Sequence, residues 1–259
     1  MAQVYLKDWD DYLYSGLNRD IYVYGGNGEC IVDQLPRLKA MESVNHTEKE
    51  AFNNTQRTLT LLNKRLKEGY DIFTIRGVDC SGEAIPFLRE HGIIDGDMTA
   101  NALYKFTKKN GKEIPLSEVR NGDYLFEGNS NNKWHIGYAV SNTNAIESKD
   151  HDEGLVETVI ARRKWQYATR PNWYIIEPEK PVLKRELKLT DPCMRGEDVR
   201  EAQTLLIAHG YNPGKVDGVF GKNTEIASKN FKSDNGLSAK TGTNGKKTAE
   251  KLGFIWEGE

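Results

Sequence analysis

Cysteine is scarce in this chain and forms no pattern. Three occur, Cys30, Cys80 and Cys193, with no CxxC pair. So odd and widely spaced a set excludes a disulfide framework and offers no structural zinc site. None of the five histidines lies in an HExxH helix, which argues against zinc-dependent hydrolysis. No segment approaches the ~18 apolar residues that a membrane-crossing helix requires. The opening Met1-Ala-Gln-Val-Tyr-Leu-Lys-Asp8 lacks the basic start and continuous apolar run of a secretory leader. The expectation is therefore a protein made in the cytoplasm, without membrane insertion. Charge of one sign is also lacking: 36 Lys and Arg against 38 Asp and Glu leave a net charge of −2. That balance gives no general attraction for nucleic acid. Nothing calls for a metal or a cofactor, and a monomer is expected.

What is present reads as a two-part globular chain. Its 259 residues fit one large domain or two modest ones. Aromatic and aliphatic residues recur along the whole length, unlike a disordered chain. Glu177-Pro-Glu-Lys-Pro181 packs two prolines and three charges into five residues, the composition of a stiff solvated linker. The boundary is placed there: a first domain over 1–176, a linker over 177–182, a second domain over 183–259. Within the first, 31–72 reads as largely helical, with Phe52, Leu59, Leu61, Leu62 and Leu66 near helical spacing. Residues 73–176 mix one short helix with several strands. In the second domain, Asp217-Gly-Val-Phe-Gly-Lys-Asn-Thr224 recurs 24 residues later as Thr241-Gly-Thr-Asn-Gly-Lys-Lys-Thr248. Each copy is a glycine-rich turn leading into a helical pattern. Val199, Ala202 and Leu206, then Ala227 and Phe231, supply apolar faces for three short helices around one core. The fold class is α+β: a mixed domain with a small antiparallel sheet, then an all-α three-helix domain.

Two residues carry candidate chemistry. Cys80 lies in Arg76-Gly-Val-Asp-Cys-Ser-Gly82, read as the start of a helix. There, unpaired N–H groups and the positive end of the dipole favour a thiolate and can stabilise an oxyanion. Pro86, six residues on, should bend or shorten that helix. His135 lies in Lys133-Trp-His-Ile-Gly-Tyr-Ala-Val140. Alternation puts Ile136, Tyr138 and Val140 on one face and His135, Gly137 and Ala139 on the other, so the imidazole should face a space left open by small side chains. Taken singly, Cys80 reads better as a buried structural thiol and His135 equally well as a half-exposed surface residue.

Together these segments resemble the NlpC-type family of papain-like cell-wall peptidases. Tyr22-Val-Tyr-Gly-Gly26 is similar to the family's Tyr-x-x-Gly-Gly motif and Asp79-Cys-Ser-Gly82 to its nucleophile motif. Asn121-Gly-Asp-Tyr-Leu-Phe126 resembles its Gly-Asp strand and His135-Ile-Gly-Tyr138 its histidine strand. The resemblance covers roughly 20–30 and 73–176. It implies Cys80 as nucleophile, His135 as base, Tyr22 at the oxyanion pocket, Asp79 and Ser81 along the substrate groove, and Glu147 as the residue that orients the imidazole. Two features depart from the family. Here 53 residues separate Gly26 from Cys80, which makes 31–72 an insertion, a lid or an extra groove wall. Glu147 stands where the family commonly has His, Asn or Gln.

Hairpin arithmetic supports Glu147. A three-residue loop Ser141-Asn-Thr143 sets Gly137 opposite Glu147, diagonal to His135 on the same face; a four-residue loop would turn it away. His151 is the competing candidate, read as a solvated loop residue beyond the strand. Over most of 190–254, the segment Met194–Gln203 and the repeat resemble a three-helix peptidoglycan-binding domain. The combined resemblance implies an endolysin-type enzyme that cuts an amide bond of the peptidoglycan stem peptide through a cysteine thioester, favouring the bond after γ-D-glutamate. Alternatives are a muramoyl-L-alanine amidase, another papain-like acyl transfer, and a non-catalytic wall-binding protein.

Overall fold

The computed structural model describes residues 2–176 and 180–258. They fall into two units that divide between 177 and 178. The expected linker over 177–182 has its first three residues outside the described set, and its last, Val182, is already paired within the second unit.

The first unit opens with β1 (Val4–Tyr5) and α1 (Leu6–Gly16), followed by β2 (Ile21–Tyr22) and β3 (Asn27–Cys30). Three helices come next, α2 (Ile31–Gln34), α3 (Leu38–Glu42) and α4 (Glu48–Lys67), and then β4 (Arg76–Val78). Beyond it lie α5 (Ile85–Glu90), α6 (Ala100–Lys109), β5 (Gly111–Ile114), β6 (Tyr124–Gly128) and β7 (Lys133–Ala139). The unit ends with β8 (Asn144–Ser148), β9 (Leu155–Val159), β10 (Tyr167–Pro171) and β11 (Tyr174–Ile175).

Strand alternation sorts the side chains between two cores. The main sheet is antiparallel, in the order β5-β10-β6-β7-β8-β9. From one face Tyr124, Phe126, Ile136, Tyr138 and Ile146 pack with Trp9 and Leu13 of α1, Phe87 and Leu88 of α5 and Leu103 of α6. The other face puts Leu125, Ala139, Ala145 and Ala168 into a smaller core with Trp165.

The helical insertion is tied in at its base. Strand β4 lies between β2 and β3, pairing Tyr22 with Val78 and Cys30 with Arg76. The chain thus leaves and returns at adjacent positions, and sequence distance does not become spatial distance. Helix α4 begins with a capping box, Thr47 with Glu50, which satisfies amide donors that a helix start leaves free. It buries Ala51, Thr58, Leu61, Leu62 and Arg65. Phe52 and Leu66, expected on the apolar face, are exposed instead. Each lies next to a buried residue, about 100° round the helix and off the stripe.

The second unit has β12 (Val182–Leu183), α7 (Glu197–Ala208), α8 (Lys222–Asp234), α9 (Lys246–Leu252) and β13 (Ile255–Trp256). Val199, Ala202, Leu206, Ala227 and Phe231 are buried together with Leu183 and Leu252. Each copy of the repeat places a glycine, Gly221 or Gly245, at the N-cap of α8 or α9. Strands β12 and β13 pair in parallel and close this unit.

Candidate active site

Cys80 does not start a helix. It lies in a turn directly after β4, and α5 begins only at Ile85. The reason is local. Pro86 enters the first turn of α5, where a missing N–H is tolerated, and Asp79 closes the preceding turn with its side chain. Its Oδ1 accepts from Gly82 N at 2.7 Å, Ser81 N at 2.9 Å and Ser81 Oγ at 3.0 Å, and its Oδ2 accepts from Gly25 N at 3.1 Å. Asp79 and Ser81, expected along the substrate groove, use these polar atoms to hold the turn. The helix-dipole argument for a thiolate lapses as well. Close backbone approach explains two of the glycines: a Cβ on Gly82 would meet Gly26 O at 1.8 Å, and one on Gly26 would meet Gly77 O at 2.6 Å.

The turn is held from beneath. Tyr138 Oη donates to Cys80 O at 2.9 Å. Arg76 donates to Glu83 at 2.9 Å and to Asp20 at 2.6 Å, and Tyr12 Oη donates to Glu83 O at 2.7 Å. Glu83 and Asp20 have no exposed surface. Burial pushes the Glu83 carboxyl up to about 8 against the pull of Arg76.

The second arm of the site comes from the β7–β8 hairpin. Its register, Tyr138↔Ile146 and Ala139↔Ala145, is the one a three-residue loop produces. It sets Glu147 diagonal to His135, and His135 Nε2 lies 2.7 Å from Glu147 Oε2. Glu147 is fully buried. It also accepts from Thr158 Oγ1 at 2.6 Å and from Arg163 Nη2 at 2.8 Å, so its charge has three partners. The space beside His135 is not open, in contrast to the expectation. Trp165 fills it, stacked on the imidazole at 5.7 Å with an interplanar angle of 7°. Gly137 makes the room, since a Cβ there would meet Trp165 Cη2 at 2.7 Å.

Cys80 and His135 meet where the two arms converge. The Cys80 thiol is 8% exposed and its Sγ lies 3.9 Å from Trp134 O, next to His135. Burial opposes a charge on His135, but hydrogen bonds and charge attraction from Cys80 and Glu147 prevail and push it up to about 10. With Nε2 on Glu147, Nδ1 is the nitrogen left for the thiol. Thiol, imidazole and carboxylate form the chain of groups that nucleophilic acyl transfer requires.

Tyr22 is brought to the same place by the β2–β4 pairing. Burial first, then the charges of Cys80, Asp79 and Glu42, hold its hydroxyl far above the ordinary value of 10.0, so it stays a proton donor. His151 is not a solvated loop residue: it is buried, its Nε2 lies 3.0 Å from both carboxylate oxygens of Glu42, and its ring packs on Tyr22 at 4.6 Å. Cys30 and Cys193 are free and half-buried. Arg163, Thr158, Trp165 and Glu42 escaped the sequence reading, as did the bond from Tyr138 to the nucleophile turn. Gly137 was the one available signal, because a glycine opposite a buried strand residue marks a large neighbour.

Residues 195–252 match the family model described as a putative peptidoglycan binding domain. The chain is 33% identical over 102 residues to the carboxy-terminal processing protease CtpB of Bacillus subtilis (strain 168), a stretch that is 39% of this chain and 18% of that protein. Among solved structures, it is similar to the NlpC/p60 domain of peptidoglycan hydrolase SagA, with a TM-score of 0.39 and 17% identity over 64% of this chain and 98% of that one. It is likewise similar to the P60 domain from M. avium subspecies paratuberculosis antigen MAP1204, with a TM-score of 0.38 and 15% identity over 64% and 93% of the two chains.

Proposed function

We propose that the protein is a cysteine peptidase that cuts an amide bond in the stem peptide of peptidoglycan. The observation that carries this reading is the convergence of Cys80, His135 and Glu147 in one chain with a segment matching a peptidoglycan binding domain. In the first step His135 takes the thiol proton of Cys80, and the Sγ attacks the amide carbonyl carbon. The carbonyl π electrons move onto oxygen, and the Tyr22 hydroxyl donates to that oxyanion. When the tetrahedral intermediate collapses, the C–N bond breaks and the imidazolium of His135 hands its proton to the departing amine. In the second step His135 takes a proton from water, which attacks the thioester carbon; the C–S bond then breaks, the carboxylic acid product leaves, and the imidazolium returns its proton to the Cys80 sulfur. Glu147 fixes the imidazole tautomer and supports its positive charge in both steps.

The bond after γ-D-glutamate is the proposed target, with the muramoyl-L-alanine amide as competitor. Mass spectrometry of fragments released from purified walls separates the two. Free amino groups should appear on the residue that follows glutamate; release of intact stem peptides beginning with L-alanine would assign an amidase instead. Cys80→Ala should abolish digestion and leave wall binding intact, whereas Cys30→Ala and Cys193→Ala retain most activity. Substantial lysis by Cys80→Ala would overturn the nucleophile.

A further inference from the structure

The helical insertion raises a question that the Cys80–His135–Glu147 chain does not answer. It delivers a buried carboxylate, Glu42 at the end of α3, to the neighbourhood of the nucleophile. A carboxylate with no exposed surface needs partners. Glu42 has three: the Tyr24 backbone N–H at 3.0 Å, His151 at 3.0 Å and the side chain of Asn54 on α4. The first two lead to Tyr22. Tyr24 is two residues along the same segment, and the His151 ring lies on the Tyr22 ring with centroids 4.6 Å apart and planes tilted by 55°.

Helix α4 grips the same two pieces of chain. Thr58 Oγ1 donates to Tyr22 O at 3.1 Å. Arg57 makes a two-pronged ion pair with Asp152 at 2.8 and 2.7 Å, and Arg65 Nη2 donates to Glu153 O at 3.0 Å. Those contacts tie down the 150–153 turn that carries His151. The insertion therefore holds Tyr22 directly through its backbone and indirectly through the ring packed against it. A tyrosine side chain has two free torsions, and the ring contact limits both.

We propose that His151, held by Glu42 of the insertion, is a positioning residue that sets the Tyr22 hydroxyl toward the reacting carbonyl at Cys80. The proposal rests on the reading of Cys80 as nucleophile and Tyr22 as oxyanion donor. It assigns the 31–72 insertion a catalytic purpose: in place of a lid or a groove wall, it is a buttress for one donor. His151 touches neither substrate nor thiol in this role and acts through Tyr22.

A double-mutant cycle tests it on the full chain, with a soluble stem-peptide fragment as substrate. His151→Gln keeps a hydrogen-bonding group for Glu42, and so the fold, but removes the ring from Tyr22. Tyr22→Phe should lower kcat by about 10²-fold, the scale of one lost oxyanion donor. His151→Gln should lower kcat about tenfold through misplacement with KM within about twofold. In the Tyr22→Phe background His151→Gln should cost nothing further. The alkylation rate of Cys80 by iodoacetamide should stay within about twofold of the wild type in His151→Gln, because the thiol and its base are untouched. Equal losses in both backgrounds, a wild-type rate in His151→Gln, or a matching fall in alkylation would overturn the positioning role. Activity in Cys80→Ala would instead overturn the reading beneath it, so the two failures are distinguishable.

Discussion

At the residue scale the decisive quantity is the proton on His135. Its folded value, about 10, lies above the ordinary 6.5 because Glu147 and the Cys80 sulfur outweigh burial. The sign of the linkage follows. A group raised on folding contributes stability that is complete below about 6.5 and is lost as pH rises through about 10. In the proposed mechanism the same proton serves the leaving amine, so the alkaline limb of kcat/KM should fall near pH 10. Glu147→Gln removes the negative partner while keeping the volume. The alkaline limb should then move toward neutral pH with only a modest fall in kcat, because glutamine, which the resembled family commonly carries here, still accepts from the imidazole N–H and holds its tautomer. A pH–rate profile and an NMR titration of His135 check both; an unmoved His135 titration would remove Glu147 from the mechanism. The positions of Cys80, His135 and Glu147 were legible in the sequence because each rests on local rules, a motif or a hairpin count. Arg163, Thr158 and Trp165 were not, because they reach Glu147 and His135 from β9 and from the segment before β10, across register that no short pattern encodes. His151 was misread for a related reason. A charged run looks solvated until a partner from a distant helix, here Glu42, covers it.

At the element scale, the hairpin and the nucleophile turn are held at positions where only glycine fits. Gly137 is the sharper test, because its neighbour is an indole stacked on the His135 imidazole. Gly137→Ala places a Cβ 2.7 Å from Trp165 Cη2. Trp165 is buried and has little room to give way, so the substitution should cost ~1–3 kcal/mol of stability by overpacking. It should also lower turnover disproportionately, since moving Trp165 tilts His135. Thermal unfolding and single-turnover kinetics on the same preparation separate the two effects; a stability loss with unchanged turnover would confine Trp165 to a packing role. Gly82→Ala is more severe, because its Cβ would meet the backbone oxygen of Gly26 at 1.8 Å, and backbone cannot swing aside as a side chain can. The alternation of β7 and the apolar faces of α7 and α8 were readable from periodicity. The start of α5 was not. Asp79 closes a side-chain turn that competes with helix, and the sequence DCSGEAIP is compatible with both.

At the scale of the whole molecule, the two units ask to be separated, and the structure moves the place to cut. A fragment over 183–259 follows from composition alone, yet it damages the second unit. Ile255 N donates to Pro181 O at 2.9 Å, Glu257 N donates to Leu183 O at 2.9 Å, and Leu183 is fully buried. The sheet between β12 and β13 therefore needs the chain from about residue 180 onward. A fragment over 180–259 should unfold in one cooperative transition and sediment with purified walls. One over 184–259 loses Leu183 and both backbone bonds and should be less stable by ~2–4 kcal/mol, the scale of a deleted buried leucine. A fragment over 2–176 keeps Cys80, His135, Glu147, Tyr22 and the Glu42–His151 pair, so it should cut a soluble stem peptide at the full-length rate. On intact walls it should be slower if, as proposed, the second unit only raises the local concentration of the first near the wall. Pull-down, circular dichroism melts and the two substrates together decide this. Equal wall retention by 2–176 and 180–259, or a soluble-peptide rate in 2–176 far below that of the whole chain, would mean that the second unit does more than hold the enzyme on the wall.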